Sequence, residues 1–169
     1  MPVHEYRKVY FDIPDNDQEV KGFFENARKH VLAVQKCGQC GLMRWDPGTG
    51  CPWCASQSYA WEKVCGKGTI YSYQIVRHAI LPGFRDLAPY TVVLVELDEQ
   101  RGKPTEHEAL RMAGMLVNAE GKPEPPDSVA VGKRVEVAFI DASPDFVAPA
   151  FRLSAEKPPS RVWRHLDAR

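Results

Sequence analysis

The sequence predicts a mainly β chain with one N-terminal helix, a short four-cysteine metal ribbon and a small five-stranded barrel. Two CxxC pairs stand ten residues apart in CGQCGLMRWDPGTGCPWC, Cys37 to Cys54. Apolar residues fall at helical spacing at Val20, Phe23, Phe24 and Ala27. Beyond Gly66 the pattern turns to short runs rich in β-branched and aromatic residues, five in number, which suits a small barrel.

Taken along the chain, residues 1–14 read as an irregular arm. Pro14 and the cluster Asp15, Asn16 and Asp17 offer N-cap chemistry for the helix that follows toward His30. Its stripe at i, i+3, i+4 and i+7 is expected to pack on the rest of the chain. Two adjacent Phe residues are a large apolar load for one short helix, so a partner-facing role is the alternative. Val31 to Gln35 and Ser58 to Val64 read as extended runs that enter and leave the cysteine segment.

Each two-residue spacer lets a pair of thiolates turn toward one centre, and two such knuckles complete the tetrahedral shell that zinc accepts. Cys37, Cys40, Cys51 and Cys54 are therefore predicted zinc ligands, with Gly41 and Gly50 supplying tight turns. Iron would accept the same four sulfurs. Four protein ligands close the site, so the ion is expected to be structural. Cys65 stands apart and is expected to be a small buried side chain.

Within the barrel, the predicted strands are Thr69 to Ala79, Tyr90 to Leu97, Arg111 to Asn118, Gly132 to Ile140 and Phe146 to Leu153. Along the fourth, Val135, Val137 and Phe139 share one face, with Arg134, Glu136 and Ala138 on the other. Long connections at Leu81 to Pro89 and Asn118 to Val131 are the loops where binding is expected. The tail from Lys157 is basic, and Trp163 with Leu166 suggests a short amphipathic turn. The expected division is residues 1–36 for arm and helix, 37–65 for the ribbon, 66–156 for the barrel and 157–169 for the tail.

Several function classes are disfavoured. Across its 169 residues the chain carries 22 Lys and Arg against 22 Asp and Glu, which removes the charge excess that a phosphate-dominated partner would need. Residues 66–156 hold ten Lys and Arg against thirteen Asp and Glu, so an OB-fold grip on single-stranded nucleic acid is only the alternative reading. The N-terminus lacks the h-region of a secretory signal, and no apolar run reaches the ~20 residues of a bilayer span. A cytoplasmic location without membrane association is expected. No GxSxG, HExxH or Walker-type sequence occurs, and no His pairs with an acid or nucleophile at a telling spacing.

The order of helix, four-cysteine ribbon and barrel resembles the rubredoxin-like zinc-ribbon plus OB-fold family of acyl-CoA-associated proteins. The motifs that carry the resemblance include FFENARKHVLAVQKCGQCG from Phe23, CPWCAS from Cys51, GKGTIYSYQIV from Gly66, PYTVVLVELDE from Pro89, VGKRVEVAF from Val131 and PAFRL from Pro149. The resemblance implies a five-stranded OB-fold and a non-catalytic accessory subunit attached to a thiolase-fold, aldolase or hydratase catalytic partner in a hetero-oligomer. It also implies that the barrel binds or shelters CoA or acyl-CoA. Arg77, His78, Phe84, Arg85 and Tyr90 are the candidate contacts, with cations for phosphates and aromatic faces for adenine. The alternative leaves Phe84 as packing, the arginines solvated and His78 at a strand end. Segment Gln100 to Leu110 is longer and more charged than in shorter members.

Overall fold

A computed structural model of the chain describes residues 3–12 and 18–164. It contains β1 (Val3–Tyr6), β2 (Val9–Asp12), α1 (Gln18–Ala27), β3 (Ala33–Cys37), β4 (Met43–Arg44) and β5 (Tyr59–Lys63). There follow β6 (Lys67–Val76), β7 (Tyr90–Leu97), β8 (Arg111–Met115), β9 (Arg134–Ser143) and β10 (Phe146–Leu153). The N-cap cluster at 15–17 and Leu166 lie outside the described residues.

Residues 3–12 of the N-terminal arm are not irregular. β1 and β2 form a hairpin whose two-residue turn, Arg7 and Lys8, has both φ angles in the left-handed region, at 53° and 63°. Such turns normally carry Asn-Gly or Asp-Gly, which is why the hairpin escapes a sequence reading. Tertiary contacts hold it instead: Arg7 donates from Nε to the Gly83 carbonyl at 2.7 Å and pairs with Asp86 at 2.5 Å.

Helix α1 ends as a Schellman motif. His30 takes the left-handed position usually given to glycine, at φ 53°, while its N–H reaches the Ala27 carbonyl and the Val31 N–H reaches that of Asn26. The apolar stripe faces inward as expected. Phe23 is buried with its ring 4.3 Å from Trp45, and Phe24 lies 5.7 Å from Phe146 of the barrel. Both Phe side chains are thus used inside the molecule. Gly22 lets Trp61 sit on the helix, since an added Cβ would stand 2.0 Å from the Trp61 Nε1. Gly22→Ala, normally a gain of about 1 kcal/mol in a helix, is expected to cost ~1–2 kcal/mol here. Chemical denaturation measures the sign.

β4, β3 and β5 form the ribbon sheet, in that order. The barrel sheet runs β10-β9-β6-β7-β8, antiparallel throughout. No continuous ladder closes it. Its two edges meet at an isolated parallel bridge between Leu116 and Phe151, where the Val117 N–H donates to the Phe151 carbonyl at 2.7 Å. Gly114 permits that approach: a Cβ there would lie 2.8 Å from the Phe151 ring. Pro149 falls on β10, an edge strand, where its missing N–H is tolerated. β7 alternates cleanly, with Thr91, Val93, Val95 and Leu97 buried. The third strand is shorter than expected, ending at Met115.

One apolar cluster serves both parts. Phe23, Leu32, Val34 and Val64 join Val93, Val95, Leu116 and Phe151 in it. A polar tie adds to this: the buried Gln100 side-chain amide pairs with Met43 of β4, donating to its carbonyl and accepting from its N–H, both at 2.8 Å. Gln100 thereby acts as a strand partner for the ribbon edge. No helix among the described residues is long and apolar enough to cross a membrane.

Candidate functional site

The four cysteines meet as their spacing predicts. Their sulfurs all lie within 4.8 Å of one another, with Cys37 and Cys54 at 3.6 Å and Cys40 and Cys51 at 3.5 Å. A tetrahedral thiolate site with bonds of about 2.3 Å places its sulfurs ~3.8 Å apart, whereas a disulfide needs about 2.05 Å. The geometry therefore fits a four-sulfur metal site and not a pair of disulfides.

The two knuckles repeat one backbone plan. In the first, the Gly41 N–H donates to the Cys37 carbonyl and the Cys37 N–H to that of Leu42. In the second, Ala55 donates to Cys51 and Cys51 to Ser56. The left-handed position is therefore the fourth after each leading cysteine, Gly41 at φ 75° and Ala55 at φ 58°. Gly50 does not fill this role, contrary to the sequence reading, and its φ is not in the left-handed region. Ala55→Gly is expected to relieve the strained φ and stabilise the protein by ~0.5 kcal/mol, the gain being partly offset by unfolded-chain entropy. Gly41→Ala should lose ~1 kcal/mol by the same measure. Paired thermal melts of the two variants test the repeat.

The sulfurs polarise one another. Backbone N–H groups of Cys40 and Gln39 pull the Cys37 thiol down to about 6. Burial raises Cys51, but the N–H groups of Trp53 and Cys54 outweigh it and leave that thiol below its ordinary value. The Leu42 N–H favours ionised Cys40, yet burial and the surrounding sulfurs push it up to about 12. Cys54 moves the same way: the Ser56 N–H is outweighed by burial and by Cys37 and Cys51. Four sulfurs this close do not carry four negative charges unless a cation shares them.

Cys65 is exposed, not buried. Val64 and Gly66 are the inward residues at this corner, so the strand alternation turns Cys65 outward. Its N–H donates to the Glu99 carboxylate. Burial and Glu99 together raise its thiol above the ordinary value, the opposite of activation.

At the barrel end, Arg77 and His78 follow β6 and are exposed. Val76 pairs with Tyr90 across the strands, and the Tyr90 ring lies 6.2 Å from Phe84, on the 3-10 segment Pro82–Leu87. Arg85, beside Phe84, is exposed. Phe84 is only half-exposed: Tyr6 meets it edge-on at 5.6 Å and the Arg7 guanidinium stands 6.0 Å from its centre. The hairpin therefore joins the predicted group, with Arg7, Lys8, Gly83 and Arg85 bordering a 480 Å3 cleft.

Sequence reasoning missed the polar groups that seat the ribbon and the barrel floor. Gln35 is fully buried and accepts from Arg44 Nε at 2.7 Å and from the Gly48 N–H at 3.0 Å. Arg134 lies opposite Val135 as expected, yet it too is buried, bonded to Asp98 at 2.5 Å, Glu156 at 3.0 Å and Thr69 at 3.0 Å. Trp163 forms no helix turn; it pairs through its backbone with Val131, at 2.9 and 3.1 Å.

Fold and site define a protein with a four-cysteine ribbon packed on a five-stranded OB-fold. Residues 61–139 match the family described as the ChsH2 C-terminal OB-fold domain. A DUF35 domain-containing scaffold protein of Methanothermobacter thermautotrophicus is 32% identical over 113 residues, 66% of this chain and 74% of that one. The chain belongs to this DUF35 family. A probable enoyl-CoA hydratase alpha subunit of Thermomonospora curvata is 32% identical over 130 residues, which are 77% of this chain but 36% of that protein. Thus the chain matches about a third of that relative's length. Among solved structures, a chain of an Ltp2-ChsH2(DUF35) aldolase shares 30% identity with a TM-score of 0.67, covering 83% of this chain and 98% of that one. A DUF35 protein of Sulfolobus solfataricus, 13% identical with a TM-score of 0.53 over 82% and 87%, shares the fold alone.

Proposed function

We propose that this chain is a non-catalytic accessory subunit of a thiolase-type enzyme complex that makes or breaks a carbon-carbon bond on a CoA thioester. The observation that carries the reading is the likeness, over 83% of this chain and 98% of that one, to a chain of an Ltp2-ChsH2(DUF35) aldolase, whose name joins two proteins. Relatives named as scaffold proteins and as a hydratase subunit point the same way. In this reading residues 1–36 and 37–65 grip the catalytic partner, residues 66–156 offer the ligand-binding barrel, and 157–169 form a basic tail. The cysteine quartet holds Zn2+ as a structural ion, because its four protein ligands leave the metal no open position. Iron is the competing occupant; a colourless preparation with one equivalent of zinc decides for zinc.

Exposed Arg77 and Arg85 supply cations and His78 a hydrogen-bonding ring at the barrel end where Phe84 and Tyr90 supply aromatic surface, the mixture suited to the phosphates and adenine of CoA. Co-expression with a thiolase-fold protein from the same source tests the assignment. The pair is expected to elute as one complex, and acyl-CoA turnover should require both chains. A chain that stays alone in the presence of that protein, or a partner equally active without it, overturns the assignment. Charge reversal at Arg77 and Arg85 is expected to raise the KM for the CoA thioester by about tenfold with little change in kcat.

A further inference from the structure

A 680 Å3 cleft opens between the bulge of β6 and the C-terminal segment, lined by Tyr71, Ser72, Arg101, Ser160 and Trp163 among others. Its size falls within the range of small-molecule sites. Two large aromatic side chains stand in it half-exposed, Tyr71 at 46% and Trp163 at 42%. Neither is loose. Arg111 lies 3.6 Å over the Tyr71 ring and is itself fixed by Glu96 at 3.1 Å. The Trp163 backbone is paired at both its N–H and its carbonyl with Val131, and the Arg161 carbonyl packs so closely on Gly132 that a Cβ there would stand 2.6 Å away. The Tyr71 ring is thus held by its cation, and the backbone that carries the Trp163 ring is anchored, as in a preorganised site.

Charge gives the ligand its sign. A chain of ion pairs runs from Lys67 through Glu156, Arg134 and Asp98 to Arg101. It holds three cations and two carboxylates, so one positive charge is left over, and Arg101 is the member that reaches the cleft. The one acidic side chain on the lining, Glu96, is already neutralised by Arg111. Ser72 and Ser160 add hydroxyls that serve either as donors or as acceptors.

We propose that this cleft binds a planar aromatic anion, its ring against Tyr71 and Trp163 and its anionic group toward Arg101. This site is separate from the Arg77–Tyr90 end of the barrel and does not depend on the accessory-subunit assignment. The probe is 2-naphthoate, with 2-naphthalenemethanol as its uncharged counterpart, titrated calorimetrically into the full metal-loaded chain. One saturable site is expected, with a Kd on the order of 0.1–1 mM for a ligand of this size. Loss of the carboxylate, or Arg101→Gln, should weaken binding about tenfold, as for a lost charge-assisted hydrogen bond. Tyr71→Leu and Trp163→Ala should each weaken it about tenfold through the lost stacking surface. Tyr71→Leu leaves the paired C-terminal segment in place, and an unchanged thermal midpoint with full metal content certifies each variant as folded. Absence of saturable binding to the unsubstituted chain overturns the proposal, as does binding that survives Tyr71→Leu. Equal affinity for the alcohol overturns the assignment of an anion.

Discussion

Replacement of Cys37 or Cys51 by serine is expected to release the metal and lower the thermal midpoint by more than about 10 °C, because metal-binding free energy at such sites is folding free energy. The effect will not stop at the ribbon. Phe23, Leu32, Val34 and Val64 lie in the same apolar cluster as the barrel residues Val93 and Phe151, so loosening one part uncovers the other. A single cooperative transition at lower temperature is the expected trace, with metal content below one equivalent by elemental analysis. Acid does the same work as mutation. The ion needs all four thiolates, while Cys40 holds its proton up to about 12 and Cys54 above its ordinary value when no cation is present. Protons therefore compete with the metal, and its apparent affinity should fall steeply as pH is lowered. A metal-free protein that melts at the same temperature as the loaded one would sink this account.

Arg134→Met is expected to destabilise the fold by about 2–3 kcal/mol, or ~5–10 °C in midpoint. The guanidinium is 6% exposed and bridges Asp98 and Glu156, whose side chains are 29% and 39% exposed. Removing it takes one cation from each carboxylate, but Asp98 keeps Arg101, Glu156 keeps Lys67, and both keep enough water to hold the cost below that of a broken, fully buried pair. Its pH signature is specific. Bonding to Arg134 first, against the opposing pull of burial, holds the Asp98 carboxyl below its usual range; Lys67 and then Arg134 do so for Glu156. Groups with depressed folded-state pKa values add stability above their unfolded value of about 4, and that stability is lost as pH falls through the lower folded values. The unsubstituted protein should therefore lose stability below about pH 4. The Arg134→Met variant should lose less over the same interval, measured by urea denaturation at pH 7 and pH 3. Parallel acid profiles for the two proteins would remove Arg134 from the explanation.

What could be read from the sequence was local or periodic. Cysteine spacing located the ribbon because the chemistry of four thiolates around one ion leaves little freedom in the spacer. β7 announced itself as a run of β-branched and aliphatic residues from Tyr90 to Leu97, and α1 through Val20, Phe23, Phe24 and Ala27. What escaped depends on partners distant in the chain. The Arg7–Lys8 turn has no glycine and is held by Gly83 and Asp86, more than seventy residues away. Gln100 looks like one more polar residue in a charged connection until its amide meets Met43, and Arg134 like a solvated strand residue until Asp98 and Glu156 converge on it. Ala55 hid because the knuckle plan tolerates a residue that the rule for left-handed positions does not favour. Among the candidate contacts, the pairing of Val76 with Tyr90 brings Phe84, Arg85, Arg77 and His78 to one end of the barrel; the hairpin that covers part of Phe84 had no signal to find it by.

The shared core also bears on how the protein is made. During synthesis the cysteine-bearing half emerges first, yet Phe24 waits for Phe146, and Met43 for Gln100. Until the segments carrying Gln100 and Phe146 have left the ribosome, the helix and ribbon lack these contacts, and their packing is expected to be completed together with the barrel. The metal is then captured either by a half-formed loop still open to solvent or by the finished fold at its exposed Cys40 side.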